Sequence, residues 1–203
     1  MNMKKKLGNK KGFTLAETLL ALLILLLVSI IVATGIPAAR NAYEKVVMGS
    51  NAQVLLSTAV NELRGELGTA TDVEIVEVKG QIGVSYISPA TGVLTRIYTG
   101  TDPERDSVTN TILVTEYTEF VKDNEGKTAE GATKALVSAA ASTKDMYVTF
   151  NNVTYEGGIV SFSGLEVRRT SNNDVLATLK KSEDGSVLPL EIRVLFADDD
   201  QQG

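Results

Sequence analysis

Seven carboxylates stand out by position. Three crowd the stretch Asp102-Pro-Glu-Arg-Asp106, three sit near the C-terminus as Asp198-Asp199-Asp200, and Glu17 stands alone at the mouth of an apolar run. Grouped acids offer hard oxygen ligands of the kind calcium takes. A calcium loop also needs spaced ligands and a glycine turn, so both triplets read as solvated charged loops. The chain contains no histidine and no cysteine. That removes the commonest general base and metal ligand, and with them disulfides and thiolate chemistry. Ser161, Ser163 and Ser171 therefore have no imidazole to activate them. Lys-Gly-Gln-Ile-Gly-Val carries two glycines without P-loop or dinucleotide spacing. Tyr43, Tyr86, Tyr98, Tyr117, Tyr147 and Tyr155 read as strand and interface residues. No catalytic residue, metal or cofactor is expected, and the chain reads as a non-enzyme.

Glu17 is different, because of the apolar run behind it. Residues 18–39 are uncharged, a run of 22 positions. A helix rising about 1.5 Å per residue needs about 20 residues to cross the hydrocarbon of a bilayer. Leu19, Leu20, Leu22, Leu23, Ile24 and Leu25 are apolar on every helical face, which suits lipid or other apolar helices rather than water. An acid at the centre of a bilayer costs about 2.5–3.5 kcal/mol on insertion scales, and such acids call for a function. At the end of the run the cost is smaller, but the carboxylate still calls for a partner. The first turn of a helix suits it, since free N–H groups leave partial positive charge there.

The charges are unevenly placed. Residues 1–12 hold Lys4, Lys5, Lys6, Lys10 and Lys11 and no acid, while the remainder holds 15 basic and 25 acidic residues. A basic head before an apolar run is the positive-inside pattern, with the head in the cytoplasm. The acidic body disfavours direct nucleic-acid binding, which needs a basic surface on the folded part. An ordinary signal peptide has a shorter apolar region, of roughly 7–15 residues. A plain single-pass anchor explains the lysines and the length. It gives no reason for Glu17 or for the residues just before it.

Those residues, Lys-Lys-Gly-Phe-Thr-Leu-Ala-Glu, resemble the class III leader of type IV pilins and pseudopilins. The resemblance is specific for roughly residues 4–65. It implies that a prepilin peptidase cuts between Gly12 and Phe13, that Phe13 becomes the N-methylated N-terminus, and that Glu17 is the fifth mature residue and directs assembly. The new amino group of Phe13 would stand at i, i+4 from Glu17, on the same helical face. Within the family the pairing is thought to run between subunits.

Five segments emerge from this reading: a basic leader over 1–12, a transmembrane and assembly helix over 13–39, an amphipathic half of the same helix over 40–68, a β-rich head over 69–196 and an acidic disordered tail over 197–203. Pro37, close behind Gly35, predicts a kink or helix break. Ala52, Leu56, Ala59, Leu63 and Leu67 recur at spacings of four, three, four and four, one helical stripe that must cover something. Runs rich in β-branched residues predict strands over 73–79, 82–87, 93–99, 111–121, 146–155, 159–169 and 175–180. Ser-Pro-Ala-Thr-Gly and Glu-Gly-Gly are hairpin turns. The alanine-rich residues 134–142 suggest a short helix. Leu188, Leu190, Ile192, Val194 and Phe196 alternate as a strand with one buried face, placed at an edge by Pro189.

The fold class expected is α+β, a long N-terminal helix packed on an antiparallel β-sheet head. The function implied by the resemblance is that of a structural subunit, inserted in the cytoplasmic membrane as a single-pass precursor and assembled into a type IV pilus or pseudopilus at the cell surface. Its implied partners are the prepilin peptidase, other pilin subunits, the membrane, and an assembly platform with its ATPase. The alternative is a membrane-anchored extracellular binding domain that never polymerises.

Overall fold

The computed structural model describes residues 14–117, 131–138, 145–180, 182 and 185–195. The leader, Phe13 and the acidic tail lie outside the described residues. The chain divides into two compact units, one ending at Val46 and the other beginning at Val47.

Helix α1 spans Leu15–Leu67, and both units contain part of it. Leucine and alanine dominate it, and its straight-chain and small residues lose little freedom on becoming helical. It runs through Gly35 and Pro37 without interruption, so the helix break expected there does not occur. Proline's fixed φ already fits a helix, and its missing N–H removes one bond, the one to the carbonyl of Ala33. The apolar stripe is where the spacing put it. Ala52, Leu56, Ala59, Leu63 and Leu67 are all buried, joined by Leu55. Residues 40–47, expected to share the amphipathic pattern, are exposed on every side, and burial begins only at Met48.

Eleven strands come after it among the described residues, in three antiparallel sheets. The first sheet is a meander of β1 (Thr71–Val78), β2 (Gln81–Ile87), β3 (Leu94–Gly100), β4 (Thr111–Tyr117) and β5 (Thr133–Ala135). The others are β10 (Val175–Thr178), β9 (Glu166–Arg169) and β6 (Met146–Thr149), and β11 (Leu190–Arg193), β8 (Ile159–Ser163) and β7 (Asn152–Glu156), each in that order. Both expected hairpins form. Ser88 and Val93 close the β2–β3 turn. Gly157 and Gly158, at φ 56° and 76°, join β7 to β8 as a two-residue turn that needs both residues left-handed. The α+β class holds, with the helix packed on antiparallel sheets.

Two expected strands each proved to be two. The chain leaves β6 at Phe150–Asn151 and leaves β8 at Gly164, so each run feeds two different sheets. Gly164 sits at φ 65°, where a side chain would be strained and would run into Asn151. The Asn151 N–H donates to the Ser163 carbonyl at 2.9 Å and holds the two corners together. The short helix expected from residue 134 is absent at its start, because Thr133–Ala135 pairs with β4 instead. Tertiary pairing there outweighs alanine's helix propensity.

The helix stripe meets one face of the first sheet, at Val84, Tyr86, Ile97, Ile112 and Val114, in a core shared with Phe150, Phe162 and Leu165. Phe150 and Phe162 meet edge to face, 5.1 Å between ring centres. Two polar ties fix the end of the helix. The Glu66 carboxylate accepts from the Tyr86 hydroxyl at 3.2 Å and from Ser88 Oγ at 3.0 Å. The Leu195 N–H, just past β11, donates to the Gly68 carbonyl at 3.0 Å.

Two consequences can be measured. A Cβ at Gly83 would lie 2.5 Å from the Ile97 carbonyl oxygen and 2.9 Å from the Tyr98 Cβ. Strand β3 cannot step aside, so Gly83→Ala should lower stability by about 1–3 kcal/mol in chemical denaturation of the full chain in detergent. Burial first, and then the Glu66 charge, push the Tyr86 phenol well above its ordinary range. Stability should therefore be complete below about pH 10, the unfolded value, and fall above it by about 1.4 kcal/mol per pH unit from this group. Tyr86→Phe should show a smaller loss between pH 10 and pH 11. Tyr147, also pushed up by burial, is present in both proteins and cancels in the comparison.

Candidate functional site

Glu17, the residue that raises the question of function, lies in the first turn of α1. Its carboxylate accepts the Thr14 backbone N–H at 2.8 Å and the Thr14 hydroxyl at 3.0 Å. Thr14 Oγ1 in turn accepts the Glu17 N–H at 3.3 Å. This is a reciprocal capping box, in which the N–H groups of Thr14 and Glu17 are each accepted by a side-chain oxygen of the other residue. Thr14 escaped the sequence reading. The signal was there in Thr14-Leu-Ala-Glu17, since a hydroxyl residue three before an acid is the sequence mark of such a box.

The run behind Glu17 has no internal partner. Every residue from 14 to 47 is exposed, including Leu25, Ile31 and Ile36. By length and composition the helix is able to cross a membrane. Its hydroxyls are closed inward: Thr18 donates to the Leu15 carbonyl at 2.8 Å, Ser29 to Leu25 at 2.8 Å and Thr34 to Ile30 at 2.9 Å. An apolar environment demands that pattern, because a polar group with no partner there costs several kcal/mol. Past the run, Arg40 Nε meets Glu44 Oε1 at 2.9 Å.

The residues singled out in the sequence are thus strung along one helix. Glu17 is near its start and Gly35 and Pro37 lie within it. Gly12 and Phe13 lie outside the described residues. What comes together is Glu17 with Thr14.

The other candidates of the sequence are taken up by the fold. Asp102 is fully buried and holds Arg105 Nε at 2.7 Å and the Glu104 N–H at 2.9 Å. The same guanidinium donates to the Met146 carbonyl at 3.0 Å, which staples this loop to β6. The Asp102 carboxylate is spent on its own loop rather than turned to a cation. Among the described residues no three acidic, histidine or cysteine side chains are placed to hold a metal ion. Arg96 lies over the Tyr117 ring at 4.6 Å and donates to its hydroxyl at 3.1 Å. Tyr98 shares a hydrogen bond with Thr115 at 3.1 Å, so these rings are sheet residues. A recess between Leu55, Ile112, Leu136 and Val148 is too tight to admit water.

No family model, no curated protein and no solved structure matches this chain. Its role has to come from its own residues.

The capping box makes its own prediction. Thr14→Ala and Glu17→Ala should each weaken the first helical turn by about 1 kcal/mol, or about fivefold faster amide exchange there. Glu17→Gln, which keeps an acceptor, should stay close to the parent. Hydrogen exchange of residues 14–18 in detergent micelles reads the difference.

Proposed function

We propose that this chain is a prepilin-like structural subunit, made as a membrane-inserted precursor and assembled into a type IV pilus or pseudopilus. The observation that carries the reading is the contrast along one helix. Its first part exposes large apolar side chains on every face, while residues 52–67 are seated on a sheet. Soluble proteins rarely expose a continuous apolar surface of that extent, and where one occurs it marks a membrane or another protein as its partner. The leader-like Lys-Lys-Gly-Phe before Thr14 and the acid at position 17 add the support of the family resemblance.

On this reading the peptidase cuts between Gly12 and Phe13 on the cytoplasmic side, and Phe13 is N-methylated. The apolar helices then leave lipid and bury against one another, with the β heads in water. Glu17 sets the register of each incoming subunit by meeting the amino group of a neighbour's Phe13. The subunit catalyses nothing. Sibling pilins, an assembly platform and its ATPase complete the machinery.

One observation favours a second reading, a single-pass anchor carrying a head that never polymerises. The Glu17 carboxylate already takes two donors from Thr14, both on Oε2, within a lone chain. One pair of measurements separates the two. Mass and N-terminal sequence of the protein from its native cell should show a start at Phe13, heavier by one methyl group. Glu17→Ala should then insert normally but lose fibre assembly. An intact N-terminus, or assembly-indifferent substitution of Glu17, supports the anchor.

A further inference from the structure

We propose that Arg40, Tyr43 and Glu44 form a collar at the level of the phospholipid headgroups, fixing how deep α1 sits in the bilayer. The inference rests on the membrane reading of the apolar run, and names the lipid surface that the outer end of the span contacts. The uncharged run of residues 18–39 has a length of about 33 Å as helix, against about 30 Å of hydrocarbon. Because α1 is unbroken at Pro37, that length is continuous helix rather than two shorter pieces. The run is therefore slightly longer than the layer it crosses, and apolar content alone leaves its depth free by a residue or two.

The residues immediately beyond it remove that freedom. Arg40 is the first charge after the run, and its guanidinium reaches forward one turn to Glu44 at 2.9 Å. The charge is thus drawn away from the hydrocarbon. Both side chains are well exposed, at 77% and 55%. An exposed ion pair of this kind contributes little in water, yet sinking it into hydrocarbon is costly. Tyr43 lies about 4.5 Å further along the axis than Arg40 and is 71% exposed. A ring that is apolar in body and polar at its tip settles at the headgroup level, where tyrosine is enriched. Two basic residues beyond the run, Arg40 and Lys45, are outnumbered by the five leader lysines, so the outer end does not contest the orientation those impose. Phosphates of the leaflet are the partners that Arg40 and Lys45 meet, and the glycerol layer receives the Tyr43 ring.

The chain contains no tryptophan, so a single introduced one reports from a known place. Full-length Tyr43→Trp, Val28→Trp and Gln53→Trp proteins are reconstituted in phosphatidylcholine–phosphatidylglycerol vesicles carrying a quencher at the headgroup or at the acyl-chain end. Position 43 should be quenched several-fold more by the headgroup probe, position 28 more by the chain-end probe, and position 53 by neither. Replacing Arg40 and Glu44 by leucine in the Tyr43→Trp protein should shift its quenching toward the chain-end probe. A fluorophore at position 43 that behaves like the one at position 53, or that ignores the leucine pair, overturns the collar while leaving the span intact. Failure of the chain-end probe to quench position 28 overturns the span itself, and the collar with it.

Discussion

The seating of residues 52–67 of α1 on the sheets is the contact on which the head depends. Ala52 and Ala59 let the helix backbone approach, while Leu55, Leu56, Leu63 and Leu67 fill the space beside them. Burying each leucine is worth about 1.5–3 kcal/mol. Among the described residues none of the three sheets exceeds five strands, and two have only three. Small sheets need an apolar face covered to be stable. The helix provides that cover for Val84, Ile97, Ile112 and Val114, and the same core reaches Phe162 of β8 and Val167 of β9. Strands of different sheets also meet directly, β1 and β2 against β7 and β4 against β6, and the helix completes the core they share. The ties at Glu66 and Gly68 set where along its length the helix is held.

The same helix has to meet an opposite demand before residue 48. There it has leucines and isoleucines but no core to bury them in. The described residues leave those side chains uncovered, and on the proposed reading lipid or other apolar helices cover them. The two demands call for different sequences, and the helix supplies both in succession. Its first part is apolar all round with its hydroxyls turned back on carbonyls, and its last part is striped. Residues 40–47 belong to neither pattern, and their charges and single tyrosine mark the change of surroundings.

Much of this was legible in the residues. The stripe from Ala52 to Leu67 comes from helical period alone, and the Glu-Gly-Gly hairpin from the need for two left-handed residues in a tight turn. The alternation held from Leu190 to Val194, where Leu190, Ile192 and Val194 are buried while Glu191 and Arg193 are exposed; Leu188, expected on the same buried face, lies before β11 and is exposed. Corners were harder to see. Residues 146–155 and 159–169 carry strand-forming residues through their bends, and only Gly164 hints at one of them. Strand propensity reports fit to a pleated surface, not which sheet supplies that surface. Pro37 misled for a related reason, since it removes one hydrogen bond but does not forbid a helix. Asp102 read as part of a solvated charged loop, yet it is fully buried, because sequence shows its neighbours and not that Arg105 folds back onto it three residues later.

The head also shows what it does not stick with. Open sheets invite pairing through their edges, and proteins blunt those edges with charge, bulges and short strands. Here the edge strand β1 exposes Asp72, Glu74 and Glu77, and its register shifts between Thr71 and Glu74 where Asp72 adopts φ 52°. At the other edge of that sheet, β5 is three residues long. Strand β10 has four residues and a register shift, and β11 is four residues long and closely preceded by Pro189. Each of these four edges is short, charged or irregular, which makes strand addition along them a poor route to association. On the proposed reading, the open apolar surface of the helix is the route that assembly takes. Helical packing of that kind is reversible by exchange with lipid, which offers the same side chains an equally apolar surrounding. The proposed subunit, stored in a membrane and later drawn into a bundle, would need that near-balance, because the transfer then demands no unfolding of the head.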